Sequence, residues 1–221
     1  MSVIISGIRA SLPFIYSELA LALGLVVVLT TGLIQRESRL TIWLTLLTVG
    51  ASFISLINVW HTPDESVTLF SGMLHLSNFS VFMRLLIDFS AALTVLMTWR
   101  SQQRFLSEYF VLVLAATLGA HVLTMSTNVV MIFLSLELLS ISSYLLTAFL
   151  FTRQGTEGAL KYFLFGATAS AAMLYGFSWL YGMSGSLDIT SLSFISLFTN
   201  NISSDLVLIA GSLVLAGFLY K

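Results

Sequence analysis

The sequence predicts an all-α fold, a polytopic bundle of about seven transmembrane helices with the N-terminus outside. Composition is the first indication: 57% of the 221 residues are hydrophobic and 9% are charged, and the mean hydropathy is +0.99. A soluble domain of this size carries nearer a quarter charged residues. Long apolar runs are the second, since a helix needs about 20 apolar residues to cross a hydrocarbon core of about 30 Å.

Seven apolar runs follow one another between shorter polar segments. Their approximate bounds are 13–34, 41–60, 79–99, 109–125, 129–150, 159–183 and 205–221. Most connections are short polar turns, but the connector before the third run is longer and mildly acidic. The segment 184–204 mixes Ser, Thr and Asn with apolar residues, which is typical of a stretch that lies along a membrane interface.

The basic residues in the loops predict the orientation. Five arginines fall on one side of the membrane and a single one, Arg9, on the other; the five are Arg36, Arg39, Arg100, Arg104 and Arg153. Cytoplasmic loops carry an excess of Lys and Arg, so the five-arginine side is predicted to face the cytoplasm.

Composition also excludes several classes of function. Nine basic residues against ten acidic ones leave no basic surface for nucleic acid. There are no cysteines for disulfides or iron–sulfur clusters, and the three histidines are too scattered to form a metal site. Chemistry on a bound cofactor or metal is therefore not expected in this chain.

Glu137, the one carboxylate near the middle of the fifth run, is the residue that most needs an explanation. It lies about 14 Å of helix rise from the end of that run. A lone carboxylate at that depth costs roughly 3 kcal/mol or more unless it faces protein, water or a counter-ion. It therefore either fastens helices through a hydrogen bond or takes part in a proton or ion relay.

Other ionisable residues lie within the predicted spans. Arg84 and Asp88 are four residues apart on one helix face, so they either neutralise each other or couple the helix to its neighbours. His121 fits a hydrogen-bonded core histidine or a relay. Glu18 lies near the start of the first run, where solvation at the interface is expected.

Two lysines follow on the later spans. Lys161, near the cytoplasmic end of the sixth run, is expected to snorkel and to pair with Glu157 four residues earlier, or to belong to a polar axis. Lys221 has a depth of about 24 Å from the outer side by residue count, so counting alone does not bring it to Glu137. A Glu–Lys pair in the membrane would be a switchable proton site, because opening it leaves an ammonium without a counter-charge.

Four sequence segments resemble a known family. They are LELLSISSYLL around Glu137, EGALKYF around Lys161, YGMSGSLDI after the sixth run and the closing GFLYK with Lys221. Together they resemble the antiporter-like membrane subunits of proton-pumping NADH:quinone oxidoreductase, respiratory complex I, and within it the subunit N group. The resemblance is good over 69–221 and generic before it.

The resemblance implies an architecture and a set of roles. Family members have about fourteen helices with two inverted five-helix repeats, so 1–108 would hold helices 1–3 and 109–221 part of the first repeat. The chain is then expected to be the N-terminal portion of a longer protein. Glu137 and Lys221 would form the proton-translocating pair, with Lys161 on the same path. His121, Arg84 and Asp88 are possible further members of this polar axis.

The implied function is redox-driven proton translocation in a bacterial inner membrane, rather than a mitochondrial or plastid one. NADH, FMN, iron–sulfur clusters and quinone would be bound by partner subunits, with no cofactor in this chain. The expected partners are a neighbouring antiporter-like subunit, small membrane subunits and the lipid bilayer. Two alternatives stay open: a subunit of a multisubunit Na⁺/H⁺ antiporter, and a non-catalytic membrane scaffold.

Overall fold

The computed structural model describes residues 11–34, 39–60, 67–99, 105–199 and 204–221. Within these ranges the chain is nearly all helical, which confirms the predicted fold class. Its helices are α1 Tyr16–Ile34, α2 Leu40–Trp60, α3 Asn78–Met97, α4 Leu106–Met125, α5 Val129–Ala148, α6 Arg153–Ser184, α7 Leu192–Thr199 and α8 Ser204–Tyr220. A short 3₁₀ turn, Leu12–Ile15, leads into α1.

Six of the described helices have the length and apolar composition needed to cross a membrane. They correspond to the first six predicted spans, with α1 counted together with its 3₁₀ turn. The seventh predicted span is α8, a shorter apolar helix. The largest difference is at α6, whose 32 residues begin six positions before the predicted start, at Arg153. Thr152 caps that start by accepting a hydrogen bond from the Gly155 N–H at 3.1 Å.

The connector after α2 contains a small hairpin that the sequence did not predict. Strands β1 Val67–Leu69 and β2 Leu74–Leu76 pair antiparallel. Ser77 then starts α3 with a reciprocal capping box with Ser80, so the helix begins immediately after the hairpin.

The chain divides into two compact units, Met1–Met125 and Ser126–Lys221. The boundary predicted after residue 108 rests on the implied repeat and stays a prediction. The predicted orientation also stays a prediction: of the arginines that decide it, four lie outside the described residues, namely Arg9, Arg36, Arg100 and Arg104.

In the first unit, α1 packs against α2 and α4, and α3 packs against α2 and α4. Its apolar core draws two buried residues from each helix: Leu21, Val28, Ile42, Val49, Ala91, Val95, Phe110 and Leu114. On α1 the core residues lie between Glu18 and the helix end at Ile34, and on α4 they lie between the helix start at Leu106 and His121. Glu18 and His121 therefore lie toward the other end of this bundle.

In the second unit, α6 is the central helix, packed against α5, α7 and α8. The small residues in the middle of α6 are buried only in part. Gly166 and Ser170 are buried, whereas Ala167 and Ala171 are exposed. The buried face continues through Gly176 instead, where α8 makes its close approach.

Candidate functional site

Glu137 and Lys221 meet in the second unit. The Lys221 Nζ lies 2.5 Å from Glu137 Oε1 and donates a hydrogen bond to it, although 84 positions separate the two residues in the chain. The lysine side chain is 4% exposed and the glutamate side chain 25% exposed. A carboxylate from α5 and an ammonium at the end of α8 therefore form a largely buried ion pair.

The residue count had placed these two groups about 10 Å apart in depth, and the contact shows that the count does not describe their relative positions. The count assumed that both helices begin at one level and run parallel to the membrane normal. A helix that tilts or begins farther out changes the depth of every residue on it. Tilt and starting level depend on packing, which a residue count ignores.

Glycines explain why α8 comes so close to α6. A Cβ at Gly176 would lie 2.7 Å from the backbone oxygen of Ala210 on α8, and a Cβ at Gly217 would lie 2.5 Å from the Met173 Cβ on α6. Only residues without side chains allow the two backbones this separation. This interface holds the α8 segment that ends beside Lys221, because Gly217 is four residues before the lysine.

The other side of the pair, α5, is held against α6 by a tyrosine. Tyr144 lies two helical turns after Glu137 and is buried over Gly166, where a Cβ would overlap its hydroxyl oxygen. The ring of Tyr144 also packs edge-on against that of Tyr162, with centroids 4.5 Å apart. Gly166 therefore gives Tyr144 the space that fixes α5 on α6.

The segment YGMSGSLDI, identified above as a family mark, has a structural role here. Gly185 ends α6 in the left-handed conformation, with φ 68°, and its N–H bonds the Tyr181 carbonyl at 2.8 Å. The chain then crosses the start of α5, where the Val129 N–H donates to the Leu187 carbonyl at 2.9 Å. A second bond, from the Ile189 N–H to a carbonyl just before α5, completes this attachment. The segment thus anchors the N-terminal end of α5, the helix that carries Glu137.

Lys161 is not part of this contact. Its Nζ lies 2.6 Å from Glu157 Oε1, and both side chains are well exposed, at 66% and 61%. The expected pairing with Glu157 is confirmed. Its role in proton translocation stays a prediction, since no recorded contact joins Lys161 to Glu137 or Lys221 within the described part of the chain.

A second assembly of charges lies in the first unit, and we call it the polar cluster: Glu18, Arg84, Asp88 and His121. Arg84 NH1 donates to Glu18 Oε1 at 2.9 Å. His121 lies between the two carboxylates, with Nδ1 3.3 Å from Glu18 Oε1 and Nε2 3.1 Å from Asp88 Oδ1, the latter out of line for a hydrogen bond. The Arg84, Asp88 and His121 residues are 0% exposed, and Glu18 is 6% exposed.

The polar cluster corrects two expectations from the sequence. Glu18 is buried and ion-paired rather than solvated. Arg84 and Asp88 do not neutralise each other: no ion pair joins them, and Arg84 pairs instead with Glu18 on another helix. The four-residue spacing places both side chains on one face, but each turns to a partner brought by tertiary packing.

Two serines complete the polar cluster, and neither was singled out in the sequence. Ser52 on α2 donates to Asp88 Oδ2 at 2.7 Å, and Ser17 donates to Glu18 Oε2 at 2.8 Å. Serines are too common in membrane helices to mark a site. Glu18, in contrast, carried the signal that identified Glu137, because it is an acid inside an apolar run.

Metal binding finds no support in the described ranges, where no group of three or more His, Cys, Asp or Glu side chains is arranged to hold an ion. The polar cluster has two carboxylates and a histidine, but the guanidinium of Arg84 lies among them at 2.9 Å from Glu18. A fixed cation in that position opposes the binding of a second one.

Comparison with known proteins relates the chain to respiratory enzymes. Residues 126–221 match the family model described as NADH:quinone oxidoreductase/Mrp antiporter, TM. NAD(P)H-quinone oxidoreductase subunit 2 of Prochlorococcus marinus (strain MIT 9301) is 40% identical over 150 residues, covering 66% of this chain and 29% of the relative. The subunit 2 of Microcystis aeruginosa is 38% identical over 217 residues, covering 94% of this chain and 41% of the relative. The chain thus spans less than half the length of these relatives.

Solved structures give the same picture. A chain of respiratory complex I from Thermus thermophilus with bound Aureothin matches with a TM-score of 0.75 and 30% identity, covering 91% of this chain and 42% of that one. A chain of the membrane-bound sulfane sulfur reductase, an archaeal respiratory membrane complex, matches with a TM-score of 0.83 and 19% identity. The second likeness shows a shared fold.

Proposed function

We propose that this chain translocates protons within an NAD(P)H-quinone oxidoreductase complex. Residues 126–221 belong to the NADH:quinone oxidoreductase/Mrp antiporter family, and the chain is homologous to subunit 2 of NAD(P)H-quinone oxidoreductases. The single observation that carries the proposal is the contact between Glu137 and Lys221. Lys161 is a further member of the path, as the EGALKYF segment implies. Electron transfer to quinone would take place in partner subunits, which also hold the redox cofactors.

The pair can exist in two protonation states, and that makes it suitable for proton transfer. While closed, the carboxylate stabilises the Lys221 ammonium at 2.5 Å. When the two side chains separate, the ammonium loses its counter-charge inside an apolar surrounding, where a charged group is strongly disfavoured. Its proton then passes to an acceptor on one side, and reclosure requires a proton from the other.

The energies are of the size that the process needs. Moving one charge against the membrane potential takes about 2.3 kcal/mol per 100 mV. Removing one partner from a buried ion pair costs about 3 to 5 kcal/mol, because the other charge is left uncompensated. The free energy that quinone reduction must supply to open one buried pair is thus of the same order as the work of moving a proton against such a potential.

The 25% exposure of the Glu137 side chain fits this role. A carboxylate that must exchange protons needs access to water or to a further carrier, and a fully enclosed one has neither. Lys221, at 4% exposure, is the better shielded partner, so its charge depends most on the contact. The pair therefore combines an accessible acid with an enclosed base.

Substitution of Glu137 by glutamine in the assembled complex tests the proposal. Glu137→Gln keeps the size of the side chain and removes its charge, and we expect it to abolish proton pumping driven by quinone reduction while the complex assembles normally. Acidification of inverted membrane vesicles reports pumping, and native gel electrophoresis reports assembly. Glu108→Gln is the matched control, because Glu108 is an exposed acid at the start of α4 and its loss should leave pumping intact.

The same experiment separates the alternatives. Normal pumping by Glu137→Gln together with impaired assembly would favour the scaffold and contradict the proposal. A multisubunit Na⁺/H⁺ antiporter is the other candidate, since the family description also names Mrp antiporters. The subunit 2 relatives that match over 94% of this chain favour the oxidoreductase. Quinone-dependent pumping in sodium-free buffer distinguishes the two.

A further inference from the structure

The charges of the polar cluster do not balance without a bound proton. Glu18 and Asp88 contribute two negative charges, Arg84 contributes one positive charge, and all three residues are at most 6% exposed. An uncompensated charge within a membrane helix is strongly disfavoured. A single proton on His121 makes the cluster neutral.

The placement of the His121 ring indicates the same state. Its Nδ1 faces Glu18 Oε1 at 3.3 Å and its Nε2 faces Asp88 Oδ1 at 3.1 Å. A neutral imidazole has one N–H and one lone pair, so one of these nitrogens would direct its lone pair at a carboxylate oxygen. Only the imidazolium directs an N–H toward both carboxylates, as a hydrogen bond to Glu18 and as a charge contact with Asp88.

The elements packed against α4 provide no other charged group to alter this balance. These elements are α1, α2, α3 and β2. The charged residues of α1 and α3 are the cluster members themselves, and α2 has none. Strand β2 carries His75, which alternates with the buried Leu74 and Leu76 and so lies on the opposite face of the strand. The protonation of His121 is therefore set by the polar cluster.

We infer that His121 is a proton-binding site separate from the Glu137–Lys221 pair, holding one proton as an imidazolium between Glu18 on α1 and Asp88 on α3. It binds a proton in the first unit and does not depend on the role proposed for the second. When the proton leaves, His121 keeps a single N–H, and the lone pair of its other nitrogen faces a carboxylate. Its occupancy thus changes the electrostatic contact of α4 with α1 and α3.

Arg84 has further hydrogen-bond donors within the polar cluster. Its NH1 already binds Glu18, and its Nε and NH2 are buried without a hydrogen-bond partner among the residues that the structure describes. Buried donors without partners are rare in proteins, because a donor removed from water and left unbonded is destabilising. Further donors next to Glu18 partly compensate the negative charge that remains when the proton leaves.

Nitrogen NMR of a single-histidine protein tests this inference directly. These 221 residues contain three histidines, so a variant with His61→Gln, His75→Gln and glutamine at any histidine outside them leaves His121 as the only ring signal. The labelled full-length protein would be measured in lipid nanodiscs near pH 8, where an ordinary histidine with a pKa of about 6.5 is almost wholly neutral. We expect both ring nitrogens of His121 to carry protons. One protonated and one bare nitrogen would overturn the inference.

A variant in which a carboxylate is replaced by its amide tests whether the carboxylates of the polar cluster keep His121 protonated. Asp88→Asn, added to the single-histidine protein, removes one carboxylate with little change of shape and should convert His121 to the neutral form near pH 8. Glu108→Gln is the control on the same helix, and an equal change there would contradict the assignment to the polar cluster. If Asp88→Asn fails to fold, the measurement on the single-histidine protein still decides. Glu137→Gln should leave the His121 signal unchanged even where it abolishes pumping, so the two proposals fail independently.

Discussion

The chain contains two assemblies of buried charge, and they are built differently. The polar cluster joins four ionisable groups from α1, α3 and α4, supported by a serine of α2, and is almost completely enclosed. The Glu137–Lys221 pair joins two groups, and a quarter of its glutamate side chain is accessible. In the first assembly each carboxylate has more than one polar neighbour, whereas the second has a single ion-pair contact to open. The two assemblies thus differ in the number of partners around each charge as well as in burial.

Removal of Arg84 should have the largest effect on stability. Arg84→Met leaves Glu18 and Asp88 buried with only His121 between them, so we expect a loss of about 3 to 5 kcal/mol, the cost of stranding a buried charge. Thermal unfolding of the purified full-length protein in detergent measures it. An unfolding temperature within about 1 °C of the unmodified protein would show that the polar cluster is hydrated and that its enclosure has been overstated.

Removal of Lys221 should destabilise the protein less. Lys221→Met leaves Glu137 without its partner, but this side chain is 25% exposed, so its charge is less enclosed than the charges of the polar cluster. We expect a loss of about 1 to 2 kcal/mol, between the values for buried and exposed pairs. Glu157→Gln, which breaks the exposed pair with Lys161, is the control at about 0.5 kcal/mol or less. A larger loss for Lys221→Met than for Arg84→Met would reverse the comparison.

The sequence predicted the spans well because the hydrophobic content of a span depends only on its own residues. Glu137 and Lys221 were found for the same reason, as charges in apolar runs. Their contact was not predictable, since it depends on the separation that Gly176 and Gly217 permit between α6 and α8. Residue counting has no access to such a distance.

The errors in the first unit share one physical cause. The four-residue spacing of Arg84 and Asp88 suggested a local pair, and the position of Glu18 near a helix start suggested water. In the structure Arg84 binds Glu18, 66 positions away, because α1 and α3 carry them to the same end of the bundle. Sequence spacing predicts pairs between neighbours on one helix, but a buried charged side chain pairs with an opposite charge that tertiary packing brings close to it.

A double-mutant cycle on proton pumping tests directly whether Glu137 and Lys221 act as one proton-carrying unit. The number of protons moved per electron would be measured in vesicles for Glu137→Gln, for Lys221→Met and for both together. Residues that function as a unit show strongly non-additive effects. We predict that each single variant loses about as much pumping as the double variant. Partial losses that multiply in the double variant would show that the two residues act separately, and would contradict the account.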